Sequence, residues 1–171
     1  LMLDYLCQVK PPKMGQLAAK SIVTTPLTER IARANGLEMM NTLTGFKYIG
    51  EIITKLREKG ESDCYYFGCE ESHGYLMDGF IRDKDGVSSA ALVLCMAAFH
   101  KARGKDLVER LRELYEIYGN CKDKTRNYEF FGPYAGLAME KVMEFFRENV
   151  KETIGNKEIK ARIDYMEDTG L

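Results

Sequence analysis

The sequence predicts an α/β sandwich built on a mostly parallel sheet. Two observations carry this. Short apolar runs rich in β-branched or aromatic residues alternate with stretches whose apolar residues recur every three to four positions, and glycines or prolines punctuate the joins. A third sets the scale: 171 residues, 45% hydrophobic and 30% charged, suit one compact domain that buries roughly 70% of its unfolded surface.

Taken in order, residues 1–10 read as the end of a helix, stopped by Pro11 and Pro12, which lack the amide donor and restrict the residue before them. From Ala18 onward, Ile22-Val23-Thr24-Thr25 reads as a short buried strand. Leu27, Ile31 and Ala34 then follow helical spacing up to Gly36, a left-handed stop. A weaker strand over Glu38–Leu43 leads through the Thr44-Gly45 turn into a helix with Phe46, Ile49, Ile52, Ile53 and Leu56 on one face. Cys64–Gly68 reads as a third strand because aromatics suit a pleated surface. Val87–Arg103 is apolar almost all round and reads as a central, covered helix. After Gly104 a second helix turns Leu107, Leu111, Leu114 and Tyr115 inward. Thr125–Phe131 is expected as a last strand and Leu137–Val150 as a closing helix with Val142, Phe145 and Phe146 inward. The tail from Lys151 is polar.

The bulk numbers exclude several function classes. With 25 basic and 26 acidic residues, no net field draws the chain to nucleic acid or an acidic membrane. The five cysteines, Cys7, Cys64, Cys69, Cys95 and Cys121, are odd in number, widely spaced and without a CxxC pair, which points to a reduced, cytoplasmic chain. The longest apolar run, Ala90–Phe99, is about half of the roughly 20 residues a membrane helix needs, and no signal-peptide pattern opens the chain. Its start at Leu1, inside the apolar pattern Leu1, Leu3, Tyr5, Leu6, reads as an excised fragment.

Chemistry concentrates in residues 68–86, where seven charged residues, a serine, a histidine and four glycines lie between two apolar elements. In an extended loop Glu70 and Ser72 point one way and Glu71 the other. A carboxylate beside a hydroxyl can accept from and donate to neighbouring sugar hydroxyls at once, while Arg82 or Lys84 would hold a phosphate. The same residues also fit a solvated cluster of surface ion pairs, each worth about 0–1 kcal/mol.

Glu70-Glu71-Ser72, a glycine two residues on, and Ile81-Arg82-Asp83-Lys84-Asp85-Gly86 resemble the sugar-binding loop and basic stretch of the α-D-phosphohexomutase (phosphoglucomutase/phosphomannomutase) family. Upstream, Thr44-Gly45-Phe46-Lys47 is similar to the Thr-Gly-aromatic-Lys turn of its phosphoglucomutases. The match covers about residues 18–105, is expected to extend over the whole chain, and resembles the third of the family's four domains.

The resemblance implies a three-layer α/β sandwich with a small, mixed, mostly parallel sheet. It implies that Glu70 and Ser72 grip sugar hydroxyls, that Lys84 contacts the substrate or its phosphate with Arg82 beside it, and that Gly45 and Lys47 line the same cleft. Phe46 also belongs to the helical core stripe. His73 is given no role, because family histidines in this loop follow serine-glycine whereas His73 directly follows Ser72. His100 reads as a satisfied helix-end histidine. Asp83, Asp85 and Gly86 make only half of a calcium loop, so no metal site is expected.

The family reaction is a phosphoryl relay from a phosphoserine, assisted by Mg2+, through a bisphosphorylated intermediate of the glucose 1,6-bisphosphate type, which also serves as activator. This chain carries neither the serine-histidine-asparagine-proline loop nor the Asp-x-Asp-x-Asp-Arg metal loop, nor the arginine-rich phosphate clamp. It is therefore expected to be inactive alone, with nucleophile and Mg2+ supplied by other domains of the same chain. The expected division is a linker helix over 1–16, the sugar-recognition domain over 17–151, and an extension toward the next domain over 152–171. The substrate class is a phosphorylated hexose, and the Glu-Glu-Ser form leans toward glucose. A non-catalytic phosphosugar-binding or assembly domain is the alternative, and a plain α/β domain the third reading.

Overall fold

The computed structural model describes residues 1–122, 128–149, 151–159 and 164. The chain divides into two compact units, Leu1–Lys124 and Thr125–Leu171.

In the first unit a four-stranded sheet runs in the order β2, β1, β3, β4, with β1 Leu17–Ser21, β2 Glu38–Thr42, β3 Tyr65–Glu70 and β4 Gly74–Leu76. β1 pairs parallel with β2 and with β3, and β4 returns antiparallel on β3. β1 is central and buried along its whole length, with Ala18 and Ala19 fully covered. Its side chains alternate between the faces, Ala18 in one core and Leu17 and Ala19 in the other. On the first face α1 (Met2–Val9), α2 (Pro26–Ala34), α4 (Gly86–Lys101) and α5 (Leu107–Tyr118) contribute Met2, Leu3, Ile31, Leu92, Met96 and Leu114. On the other, α3 (Phe46–Glu58) buries Phe46, Ile49, Ile52, Ile53 and Leu56. These three layers are the expected α/β sandwich with a mixed, mostly parallel sheet.

Several elements differ from expectation. The first strand ends at Ser21, and Ile22–Thr25 is a turn in which the Thr25 side chain accepts from the Leu27 amide and Pro26 opens α2. A threonine directly before proline serves the cap better than the ladder. β3 runs two residues further than read, so Glu70 belongs to the strand, and β4 falls inside what the sequence presents as a charged connector. α4 is not a covered helix: only Ser89, Leu92, Met96 and His100 are buried, while Val87 and Leu94 are exposed. Its apolar outer face therefore carries no information about burial.

The second unit holds α6 (Ala135–Glu148) and a hairpin of β5 (Thr153–Ile154) and β6 (Lys157–Glu158). Tyr128–Phe131 is not a strand, and residues 125–127 of that expectation lie outside the described residues, as does Val150. Val142, Phe145 and Phe146 are exposed rather than inward, and no residue of α6 is buried. Within this unit Arg147 donates to Asp164 at 2.6 Å, tying the helix to the tail.

His100 also departs from its reading, since among the described residues its buried Nε2 has no hydrogen-bond partner. Burial lowers its pKa, Arg110 and Arg103 push the same way, and Asp4 and Glu113 oppose them. A folded pKa below the unfolded value means that stability is full above about pH 6.5 and drains as pH falls below it toward the lowered value. The carboxylates held low, Glu71, Asp85 and Glu113, contribute their losses only further down, in the carboxylate range. His100→Leu should flatten the decline of the urea midpoint between about pH 7 and about pH 5; equal slopes in both proteins would refute the assignment.

Candidate functional site

In open α/β sheets ligands sit beyond the carboxyl ends of the strands. Here β1 and β3 lie side by side with Lys20 opposite Cys69, so the chain leaves both strands at one place.

Glu70, the last residue of β3, is buried at 4% exposure. Its Oε1 accepts the Gly45 amide at 2.8 Å, and its Oε2 accepts from Ser72 Oγ at 3.4 Å. Gly45 is the N-cap of α3 with φ of 125°, a backbone that side chains rarely adopt, and this conformation lets its amide donate across to β3. The carboxylate thus rests on the positive end of a 13-residue helix. Each oxygen accepts one bond, and a carboxylate has about four acceptor positions, so capacity remains for two hydroxyls.

Period-two alternation sends Glu71 to the other side. Its Oε2 accepts from Ser21 Oγ at 2.6 Å and Thr24 Oγ1 at 3.3 Å, and the Ser21 hydroxyl above all holds its carboxyl below the usual glutamate range. Beneath it Lys20, 4% exposed, donates from Nζ to the carbonyls of Thr24 (3.0 Å) and Ser21 (3.3 Å). Lys20, Ser21 and Thr24 were not foreseen. The available signal was a lysine and a serine closing an otherwise apolar strand at its carboxyl end.

The remaining expected residues separate. Lys84 packs its stem over Gly74, where an added Cβ would lie 3.1 Å from the Phe46 ring and 3.3 Å from Lys84 Cδ. Arg82 donates to the Gly79 carbonyl, and its own carbonyl presses on Gly50, where a Cβ would stand 2.7 Å away. Arg82 and Lys47 line a groove of about 520 Å³ along α3 with Glu51, Thr54, Lys55 and Glu58. The structure therefore brings Gly45, Glu70 and Ser72 together, sets Lys84 beside Gly74 at the loop base, and places Arg82 with Lys47 in the α3 groove. Asp85 caps α4, its Oδ1 accepting from the Val87 amide at 2.9 Å. Phe46 is core, 5% exposed. Among the described residues no three His, Cys, Asp or Glu side chains gather to hold a metal ion. A cavity of about 530 Å³ between α1, α2, α4 and α5 is walled mainly by apolar residues such as Leu27, Ile31, Phe67 and Met96, a lining ill suited to a phosphate.

The loop joining β3 to β4 is Glu71-Ser72-His73, and His73 has φ of 61°. A three-residue hairpin places its last residue in the left-handed region, where a non-glycine residue costs about 1 kcal/mol.

Comparison with known proteins agrees with this architecture. Residues 1–118 match the family described as phosphoglucomutase/phosphomannomutase, alpha/beta/alpha domain III. Phosphoglucomutases of Staphylococcus aureus strains MSSA476 and USA300 are each 32% identical over 166 residues, 97% of this chain and 30% of theirs. The structure of parafusin, an exocytosis-sensitive phosphoprotein and phosphoglucomutase from Paramecium, superposes in its open form with a TM-score of 0.59 at 23% identity. It covers 86% of this chain and 25% of that one, a likeness of fold. The chain thus spans about 30% of the length of the curated relatives it matches. No described helix is long and apolar enough to cross a membrane.

Proposed function

The chain belongs to the phosphoglucomutase/phosphomannomutase family as its alpha/beta/alpha domain III, and from that membership we propose that it is the sugar-recognition domain of a cytoplasmic hexose-phosphate mutase. The parent moves phosphate between C1 and C6 of a hexose through a bisphosphorylated intermediate. The observation that carries the reading is the Glu70 carboxylate, buried at the carboxyl end of β3, oriented by the Gly45 amide, and joined to Ser72. An acceptor and a hydroxyl fixed two residues apart suit adjacent ring hydroxyls, with Lys84 at the loop base as the cation for a phosphate.

In such a parent this chain binds and orients, and does no bond-breaking itself. Among the described residues no His, Cys, Asp or Glu side chains gather as a metal site, and we assign Mg2+ and the phosphoserine to other domains of the parent, with residues 1–171 alone expected to turn over no glucose 1-phosphate. A sugar held by its hydroxyls can present either end to the phosphoserine, which a reaction through a bisphosphate requires.

Ser72 is exposed, so its removal should leave the fold intact. In the intact parent, Ser72→Ala should raise KM for glucose 1-phosphate about 3- to 10-fold, the worth of one neutral hydrogen bond, with phosphoserine content unchanged. An unchanged KM would count against the loop as the sugar contact.

A further inference from the structure

We infer that Gly50 is a positioning residue for Lys84: the missing side chain in the middle of α3 seats the backbone of the 77–85 segment and so fixes where the Lys84 ammonium stands. The inference deepens the proposed reading of Lys84 as the cation for a substrate phosphate, and rests on it.

Nothing in α3 itself asks for a glycine at this position. Gly50 lies buried in the helix interior and its φ is not positive, so alanine would form the helix better. What the glycine provides is room. A Cβ built on it would stand 2.7 Å from the Arg82 carbonyl oxygen, so backbone rests on helix with no flexible side-chain end to give way. The same face repeats the contact on either side. Phe46, Gly50 and Ile53 follow one another at helical spacing. A Cβ on Gly74 would lie 3.1 Å from the Phe46 ring, and one on Gly79 3.2 Å from Ile53 Cγ2. Three glycines, one on α3 and two facing it, allow the approach.

Lys84 is held between two backbone anchors. Before it, Arg82 lays its carbonyl on Gly50 and turns its guanidinium back to the Gly79 carbonyl. After it, the Asp85 amide donates to the Tyr75 carbonyl at 3.1 Å. The second anchor belongs to the end of the sheet, whereas the first depends on Gly50. To reach ordinary contact with an added Cβ, the Arg82 carbonyl must move by about 0.7 Å, and a misplacement on that scale weakens a contact two residues on by a decade or more. Gly45, at the start of the same helix, orients Glu70. One helix thus sets both the hydroxyl-binding and the cationic side of the site.

The test compares native parent enzyme with Gly50→Ala, Lys84→Ala and the double variant. Gly50→Ala should raise KM for glucose 1-phosphate about tenfold with kcat within about twofold of native, because a phosphate contact kept throughout the reaction is uniform binding. Lys84→Ala should raise KM at least as far, and the double variant no further than Lys84→Ala alone, since Gly50 acts through that side chain. A native KM in Gly50→Ala beside a raised KM in Lys84→Ala overturns the positioning role and leaves the cation standing. A native KM in Lys84→Ala overturns the reading of the cation and this inference with it. Effects that multiply in the double variant, or a fall in kcat or melting temperature at native KM, also overturn it, because the glycine would then serve only the fold. Should Gly50→Ala not fold, Gly79→Ala decides in its place: its milder overlap with Ile53 should raise KM about threefold, and a native KM there overturns the inference.

Discussion

Glu70→Gln in the intact parent should lower kcat/KM for glucose 1-phosphate by about 100-fold, the largest functional effect expected of any single change in this chain. If Glu70 holds the sugar as proposed, two charge-assisted hydrogen bonds to hydroxyls, each worth about 1.5–3 kcal/mol, are weakened or lost, and about 3 kcal/mol corresponds to two decades. Glutamine keeps one oxygen for the Gly45 amide, so the junction of β3 with α3 survives. What goes is the charge at the α3 N-terminus, about 0.3–1 kcal/mol, a small shift in melting temperature. Function and fold therefore separate in one variant: kcat/KM falls, while phosphoserine content and thermal unfolding stay near native. Glu70→Ala lacks that separation, because it also strands the Gly45 amide. Native-like kcat/KM for Glu70→Gln would show that this carboxylate only caps the helix.

Where burial follows a clear period, the sequence was readable. The stripe Phe46, Ile49, Ile52, Ile53, Leu56 is buried throughout, because α3 packs its apolar face directly on Leu17, Ala19, Tyr65 and Leu76 of the sheet. β1 was misplaced for the opposite reason. Leu-Ala-Ala-Lys-Ser has little strand propensity, but a central strand pressed by helices on both faces needs small side chains, and Ala18 and Ala19 supply them. The β-branched run after it was drawn instead into capping α2. α4 shows the limit of apolarity as a signal, since Val87 and Leu94 are exposed on a helix apolar all round. β4 has three residues and no pattern of its own; its pairing with β3 is decided by the turn between them.

The site was legible to the same degree. Alternation alone separated Glu70 and Ser72 from Glu71, and the bonds to Ser72 on one side and to Ser21 on the other follow that parity. The partnership of Glu70 with Gly45 spans 25 residues and depends on sheet order, which no local pattern encodes. Ser21 and Thr24 were hidden by the shift of β1, which turned a polar strand end into strand interior. His73 was set aside by spacing, and the structure places it as the left-handed last residue of the turn between β3 and β4.

The largest stability effect should come from Asp4→Ala, far in sequence from its partner. Asp4 in α1 is 4% exposed and accepts from Arg110 of α5 twice, Nη2 at 2.7 Å and Nε at 2.9 Å, as well as from Gln8 at 2.9 Å. Arg110 also donates to Glu113 at 2.8 Å, and Lys105 pairs with Glu113, so the network runs from α1 along α5. Breaking a buried pair by removing one member costs about 3–5 kcal/mol, because the survivor keeps its desolvation without its partner. Arg110 would retain Glu113, which argues for the lower end, about 3 kcal/mol, or on the order of 10 °C in melting temperature. An eight-residue helix has little stability of its own, so α1 depends on this tie and on Met2, Leu3 and Tyr5 in the core. Replacing both partners by leucine should restore most of the loss, since an apolar pair leaves no stranded charge. A loss below about 1 kcal/mol for Asp4→Ala in urea unfolding, or a double variant no more stable than the single one, would show that packing rather than the ion pair holds α1 in place.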